Sequence, residues 1–386
     1  MKCVGDPPRS LPGRSRGRGR GRVAVLFAAW FLQGGLPTPA APVQAPVVCP
    51  VHPPSPVGAP VSVPIVTRSR YLMGVPLQIT LREPTDPDLF EAVFTEVARL
   101  ESILSNWRTD SEISRLNRRA GGGAIACSVD LFEAVVRSVS WAEMTGGTFD
   151  PTVEPVVRRL GLIGDPWDGQ PAATGPARGG PGGDWRDVAI DRTLQTVSLR
   201  SAGMGLDMGG IGKGIALDAA VRVIREGGRD SALLDFGGQV MAIGRPAGGS
   251  EWTVDVTDPD DRDRIIGRVR VRDLSLSTSA PGGRRGPGGE AHIIDPRTGG
   301  PAAFSGSVTV AAADATSADA LSTALCVMGA DAGFAWATER EVAALFAWRE
   351  AGGPLQIRRT RGFERLHWQE NSPQRPHKAA AVGAGD

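Results

Sequence analysis

The residues from Asp207 to Asp218 read Asp-Met-Gly-Gly-Ile-Gly-Lys-Gly-Ile-Ala-Leu-Asp. Glycines let backbone approach a ligand closely, and Lys213 supplies a point charge suited to phosphate. Two familiar phosphate templates nevertheless fail. A phosphate loop needs its first glycine where Asp207 stands, and Gly214 follows Lys213 where a metal-binding hydroxyl is required. A dinucleotide fingerprint needs glycines at relative positions 1, 3 and 6. Counting from Gly210 or Gly212 puts Ile215 or Leu217 at the last place. The same glycines would also serve ordinary turns and helix caps.

Three further clusters could do chemistry. Asp319 and Thr323 lie four apart in a helical stretch, so two oxygens share one face. Hard cations such as Mg²⁺ take oxygen ligands of this kind, although the pair would also suit a cap or a solvated face. His292 enters the turn Asp295-Pro-Arg-Thr-Gly299 and is the one histidine of four well inside the central part of the chain, which makes it a general-base candidate. In Gly147-Thr-Phe-Asp150, Phe149 offers a ring for stacking and Asp150 an acceptor for a base; the segment also reads as a loop leaving a helix.

Composition sets the frame. With 386 residues, 43 Lys+Arg against 42 Asp+Glu and a net charge of +1, the totals give no reason to expect nucleic-acid binding. The basic excess sits between Arg9 and Arg22, which leaves the rest mildly acidic. An apolar run from Val23 to Leu32 follows, too short to span a bilayer comfortably, and Val43-Gln-Ala45 offers small residues for cleavage. Residues 1–45 therefore read as an export signal or an Arg-rich arm. Residues 46–65 read as a Pro-rich linker, 66–365 as one catalytic unit and 366–386 as a disordered tail. Cys3, Cys49, Cys127 and Cys326 fit no metal spacing; in an exported chain Cys127 and Cys326 could pair.

The elements that must position these residues are mixed. Strand-like pieces flank Gly74 between Tyr71 and Leu81. Helical periodicity runs over 88–104, and helices are expected at 110–117 and 130–145. A Gly/Pro-rich insertion covers 165–185. Strand patterns return over 188–199, and a helix starts at Ile211 inside the glycine motif. Two strands flank Gly237-Gly238, and paired strands cover 252–256 and 268–271. After a glycine-rich tip at 282–289 come a buried strand at 308–312, a helix at 317–328 and a strand at 341–348. Strands and helices without strict alternation predict an α+β fold.

In this order, Met73-Gly74, Leu104-Ser-Asn-Trp107, Asp110 to Asn117, Gly147-Thr-Phe-Asp150, Asp207 to Asp218, Phe236-Gly-Gly238, Ser277-Thr-Ser279, His292 to Gly299 and Asp319 to Thr323 resemble the ApbE-type FAD:protein FMN transferases. The resemblance covers about residues 66 to 350. It implies a T-fold-like single catalytic unit that binds FAD and Mg²⁺. A threonine hydroxyl of a target redox protein attacks the FMN-side phosphorus, and AMP leaves. It implies that the Gly210 carbonyl, Asp319 and Thr323 hold the metal, with Ser322 adjacent, and that His292 takes the threonine proton. Asp207, Lys213 and Thr148-Phe149-Asp150 are expected to contact FAD, with Met73, Trp107 and Ile293 as flavin or adenine contacts. The implied acceptor is a membrane or periplasmic redox subunit; with the export signal read above, the chain is expected in the periplasm or on the outer side of a bacterial inner membrane, with peripheral membrane association.

The chain departs from the family pattern at two places. Trp107 stands where a tyrosine is usual, and Val75 replaces a threonine. The position of Lys213 alternates between Lys and Glu in the family. Asn117 closes a segment that bears on the balance between transfer and hydrolysis. Two alternatives follow: a Mg²⁺-dependent FAD pyrophosphatase, which would release AMP and FMN without an acceptor, and a flavin-storage protein, which would retain FAD and release no AMP.

Overall fold

The computed structural model describes residues 64–163, 183–246, 251–283, 291–350 and 352–371. The signal expected over 1–45, nearly all of the linker over 46–65 and most of the insertion at 165–185 lie outside the described residues, as does most of the tip at 282–289.

The described chain opens with the hairpin β1 (Ile65–Leu72) and β2 (Val75–Arg82). Helix α1 (Pro87–Leu104) begins at Asp86, whose side chain caps Asp88 N, and buries Phe90, Val93, Phe94, Val97, Leu100 and Leu104 along one stripe. Next come α2 (Glu112–Arg118) and, after β3 (Ile125–Ala126), α3 (Val129–Met144), with Ser111 and Ser128 as helix caps. A 3-10 turn at Pro151–Val153 leads into α4 (Glu154–Arg159). Strands β4 (Val188–Asp191) and β5 (Thr196–Leu199) join β3 in a small sheet. Helix α5 (Gly212–Glu226) is followed by β6 (Ala232–Phe236), β7 (Gln239–Ile243), β8 (Trp252–Thr257), β9 (Ile265–Val271) and β10 (Leu274–Ser279). Two-residue strands β11 (Ile294–Asp295) and β12 (Gly300–Pro301) precede β13 (Ser307–Ala312) and α6 (Ala315–Glu339). The described chain closes with β14 (Ala343–Arg349), β15 (Leu355–Arg359), α7 (Arg361–Glu364) and β16 (Gln369–Glu370).

The main sheet has eight strands in the order β1-β2-β6-β7-β10-β13-β14-β15, with every neighbouring pair antiparallel. Its central strands are covered on both faces, so β6 and β7 are buried throughout. Period-2 alternation sorts the side chains. Leu234, Met241 and Ile243 face α1 and α5, whereas Leu233, Val240 and Ala242 face the sheet β16-β9-β8 with Trp252, Val254 and Phe363. Further along, Ala344 and Phe346 pack beneath α6, while Leu345 and Ala347 join the other layer. The result is the expected α+β class.

Sequence and structure differ where packing decides. Ser277-Thr-Ser279, read only as a motif, ends the central strand β10. The helix expected to stop at Met328 bends at Gly329 (φ 80°) and continues to Glu339. Helix α6 is long and apolar enough to cross a membrane, but that character comes from contact with the sheet on one side and with α5 and the α3 layer on the other. The body does not end at 365. Leu366 and Trp368 pack into the β8–β9 layer, and β16 pairs with β9. Cys127 and Cys326 are free thiols in separate core clusters, so the disulfide between them is excluded; burial pushes their pKa values up to about 11 and about 12.

Helices α5 and α6 meet at Gly214. A Cβ at this position would be driven into the Ala315 carbonyl and would stand 2.6 Å from Thr316 Cα. Gly214→Ala is therefore expected to destabilise the fold by about 1–3 kcal/mol, the usual cost of overpacking. Chemical denaturation checks this, and unchanged stability would show that the crossing is loose.

Candidate functional site

The α5–α6 crossing creates the centre of the site. Asp319, only 2% exposed, lies on the first turns of α6. Its carboxylate accepts hydrogen bonds from Lys213 Nζ at 3.1 and 3.3 Å, from Gly214 N at 3.1 Å and from Ser277 Oγ at 3.3 Å. Asp218 and Gln239 fix the start of α6. Asp218 accepts from Ala315 N and Thr316 N, and Gln239 Nε2 donates to Ala315 O at 2.7 Å. Part of the glycine motif thus performs the bland capping work that its composition allowed.

The hydroxyls beside Asp319 continue along α6 and β10. Ser322 Oγ donates to Ser277 Oγ at 3.2 Å and lies 2.8 Å from Ser279 Oγ, which is 3.5 Å from Thr323 Oγ1. Gly210 faces the same threonine. A Cβ on Gly210 would stand 3.2 Å from Thr323 Oγ1 and 3.1 Å from Phe149 Cε2, so only glycine leaves this cradle open. Phe149 is buried in the α2–α3 core, and its ring reaches the cradle at Gly210.

Backbone pairing ties the remaining walls to this point. Asp207 N donates to Pro151 O at 2.7 Å, which joins the Thr148-Phe149-Asp150 turn to the glycine motif. Asp207 Oδ1 accepts from Gly209 N at 3.0 Å. Asn117 clamps the backbone of Leu206 from both sides, accepting from its N and donating to its O; Asn106 Nδ2 donates to the same carbonyl at 2.7 Å. These amides hold Trp107, 58% exposed, beside the Asp207 segment. Asn106 was overlooked in the sequence because an asparagine in a short loop reads as turn chemistry.

Other expected residues lie on turns around this core. Met73 (φ 47°) and Gly74 (φ 77°) form the two-residue β1–β2 loop, with Tyr71 Oη donating to Gly74 O at 2.6 Å. This loop touches the Gly237-Gly238 loop, since a Cβ on Gly237 would stand 2.8 Å from Val75 Cβ. Half-buried His292 precedes Ile293, which packs against Leu321 and Leu325 of α6, while Ile294 packs against Val156 and Val157 of α4. Arg297 pairs with Asp295 through two hydrogen bonds and fixes the turn that follows. Thr148 is buried and donates to Thr145 O.

Two carboxyls near the Asp207 segment resist ionisation. Burial pushes Asp150 up to about 6, against hydrogen bonds from Thr152 N and Oγ1 that favour its charged form. Burial also raises Glu154, despite its ion pair with Arg158.

Among the described residues no group of three His, Cys, Asp or Glu side chains could hold a metal. The donors that converge are all oxygens: the Asp319 carboxylate, the Thr323 hydroxyl and the backbone at Gly210. This set fits a hard cation that completes its shell with phosphate or water, and glycine at 210 keeps a side chain from crowding Thr323.

A family model described as the ApbE family matches residues 73–346. The chain is 34% identical over 259 residues to the FAD:protein FMN transferase of Treponema pallidum, covering 62% of this chain and 71% of that one. It is 29% identical over 294 residues to the FAD:protein FMN transferase of Klebsiella pneumoniae, covering 72% and 87%. The fold matches the flavin transferase ApbE from Vibrio cholerae with a TM-score of 0.68 at 24% identity, over 79% of this chain and 99% of that one. It matches the ApbE protein of Thermotoga maritima with a TM-score of 0.68 at 26% identity, over 78% and 99%.

Asp235, on β6 before the Gly237-Gly238 loop, accepts from Gly238 N through Oδ1, while its Oδ2 is buried without a partner. Burial raises its pKa from 3.8 to about 7. The fold therefore favours the protonated acid. That contribution is complete below about pH 3.8 and is lost as the pH climbs through about 7. Asp235→Asn keeps an acceptor for Gly238 and removes the ionisation. Its melting-temperature gain over wild type is expected to be small at pH 4, to grow toward pH 7 and to level off above it. A constant offset across that range would contradict the assignment.

Proposed function

Because the chain belongs to the ApbE family, whose named relatives are FAD:protein FMN transferases, it is a transferase of that kind, and we propose that it moves the FMN half of FAD onto a threonine hydroxyl of a target redox protein, with Mg²⁺ as its metal and AMP as the leaving product. The observation that carries this reading is the convergence of Asp319, Thr323 and the Gly210 cradle beside the Phe149 and Asp207 walls.

In the transfer, a bond forms between the threonine oxygen and the FMN-side phosphorus. The bond from that phosphorus to the bridging oxygen breaks, and the electron pair leaves with AMP. Asp319, Thr323 and the Gly210 carbonyl would hold the metal, which when bound neutralises charge on the phosphate oxygens. The protein's own groups orient the substrate. Lys213 lies against Asp319 and places a positive charge at the pyrophosphate side. Asp207 and the Thr148-Phe149-Asp150 turn form one wall through the Asp207–Pro151 hydrogen bond. Met73, Trp107 and Ile293 supply contacts for the rings. A ring nitrogen of His292 takes the proton of the attacking threonine hydroxyl.

Incubation with FAD, Mg²⁺ and a protein carrying the acceptor threonine should yield fluorescent, covalently bound flavin and one AMP per flavin. AMP and free FMN without an acceptor would replace transfer by hydrolysis, and FAD retained with neither product would indicate storage. Asp319→Ala should cost several kcal/mol of transition-state stabilisation at modest Mg²⁺, as expected for a lost metal ligand. Turnover like that of wild type would refute the ligand role.

His292→Ala should slow transfer and leave FAD affinity nearly unchanged. Equal loss of both would make His292 structural.

Residues 1–45 carry an Arg-rich stretch, an apolar run and small residues, which supports export to the periplasm with peripheral attachment to the membrane. Mass spectrometry of the mature N-terminus tests this, and retention of Met1 in cells that export the chain would exclude cleavage.

A further inference from the structure

Three serine hydroxyls connect the two side-chain oxygen donors of the site, Asp319 and Thr323. Ser277 and Ser279 project from the helix-facing side of β10, and Ser322 and Thr323 project from α6. The order of proton donation follows from counting protons, since each hydroxyl has one to give. The Asp319 carboxylate only accepts, so Ser277 donates to Oδ1 at 3.3 Å. Ser322 then donates to Ser277 at 3.2 Å. With the Ser322 proton used, the 2.8 Å contact requires Ser279 to donate to Ser322. With the Ser279 proton used, the 3.5 Å contact requires Thr323 to donate to Ser279. The chain thus runs from Thr323 toward the carboxylate. The Asp319 backbone carbonyl, 3.0 Å from Ser322 Oγ, accepts from the same hydroxyl, so the one Ser322 proton is shared between its own helix and Ser277.

We propose that Ser277, Ser279 and Ser322 form a directed hydroxyl relay that positions Asp319 and Thr323 as oxygen donors for a divalent cation, with Ser277 and Ser279 as positioning residues for the transfer reaction. The proposal rests on the metal-dependent reading above. Its physical basis is general: partners behind a metal ligand fix its orientation, and their loss costs about 10–100-fold in metal affinity. Hydrogen bonds in series also polarise one another, and here the series ends on a buried anion.

The test titrates Mn²⁺ into the FAD-loaded full chain and follows the free Mn²⁺ signal by electron paramagnetic resonance. Ser279→Ala is expected to raise the Mn²⁺ dissociation constant about 10-fold with FAD affinity unchanged. Ser279→Thr, which restores the hydroxyl, should recover wild-type affinity. In turnover, Ser279→Ala should raise the apparent KM for Mg²⁺ and return to nearly wild-type kcat at saturating metal. Ser277→Ala, beside the carboxylate, should show the same pattern. Should the fully buried Ser277 site fail to fold as alanine, half-buried Ser279 decides the question alone. Wild type that binds Mn²⁺ alongside a Ser279→Ala variant of equal affinity would overturn the relay and leave the metal-dependent reading standing. Wild type that takes up no Mn²⁺ in the presence of FAD would overturn both.

Discussion

One buried carboxylate joins the three parts of this molecule that matter for chemistry. Asp319 belongs to α6, but its partners come from α5 through Lys213 and Gly214 N and from the central strand β10 through Ser277. A charge so deeply buried is costly unless it is paired and hydrogen-bonded. The cost is offset by the surrounding donors, which in turn fix how the helices cross over the sheet. Gly214 permits the close approach, and Asp218 and Gln239 hold the first turn of α6 where the carboxylate needs it. The fold and the site thus depend on the same few contacts.

The second organising device is backbone pairing around Leu206 and Asp207. Asn106 from the α1–α2 connection and Asn117 from the last turn of α2 meet on a single residue, and Asp207 N reaches Pro151 O. This knot brings the Trp107 turn and the Phe149 turn to the glycine motif through hydrogen bonds to backbone. The raised pKa values of Asp150 and Glu154 arise in the same crowded region, where burial outweighs the hydrogen bonds and the ion pair that favour charge.

Much of this was legible in the sequence, and what was not has physical causes. Periodicity located α1 and α3, since each buries one face, whereas the first half of α6 was read as a helical stretch and is covered on two sides. The spacing of Asp319 and Thr323 put both on one side of a helix. The sequence could not show that the lysine of the glycine motif pairs with Asp319, because 106 residues separate them. Nor could it show that the Phe149 ring meets Thr323 at Gly210, since that contact joins three distant parts of the chain. The extension of α6 past Gly329 was hidden because glycine is an ordinary stop signal, and here the chain turns at it and resumes a helix. The strand at 369–370 was missed because Trp368, which anchors it, sits in a polar segment that reads as tail.

Strand β10 carries two messages in one frame. Its odd-numbered positions from Ser275 to Ser279 place hydroxyls on the helix side, and Leu276 between them closes the opposite apolar layer with Val240 and Ala311. Slippage by one residue would exchange the two sets, putting a leucine under the carboxylate and a serine into the apolar layer. The oily layer that never touches substrate therefore acts as a proofreader for the reactive face. Selection on that layer for stability would preserve the alignment of the chemistry as a by-product.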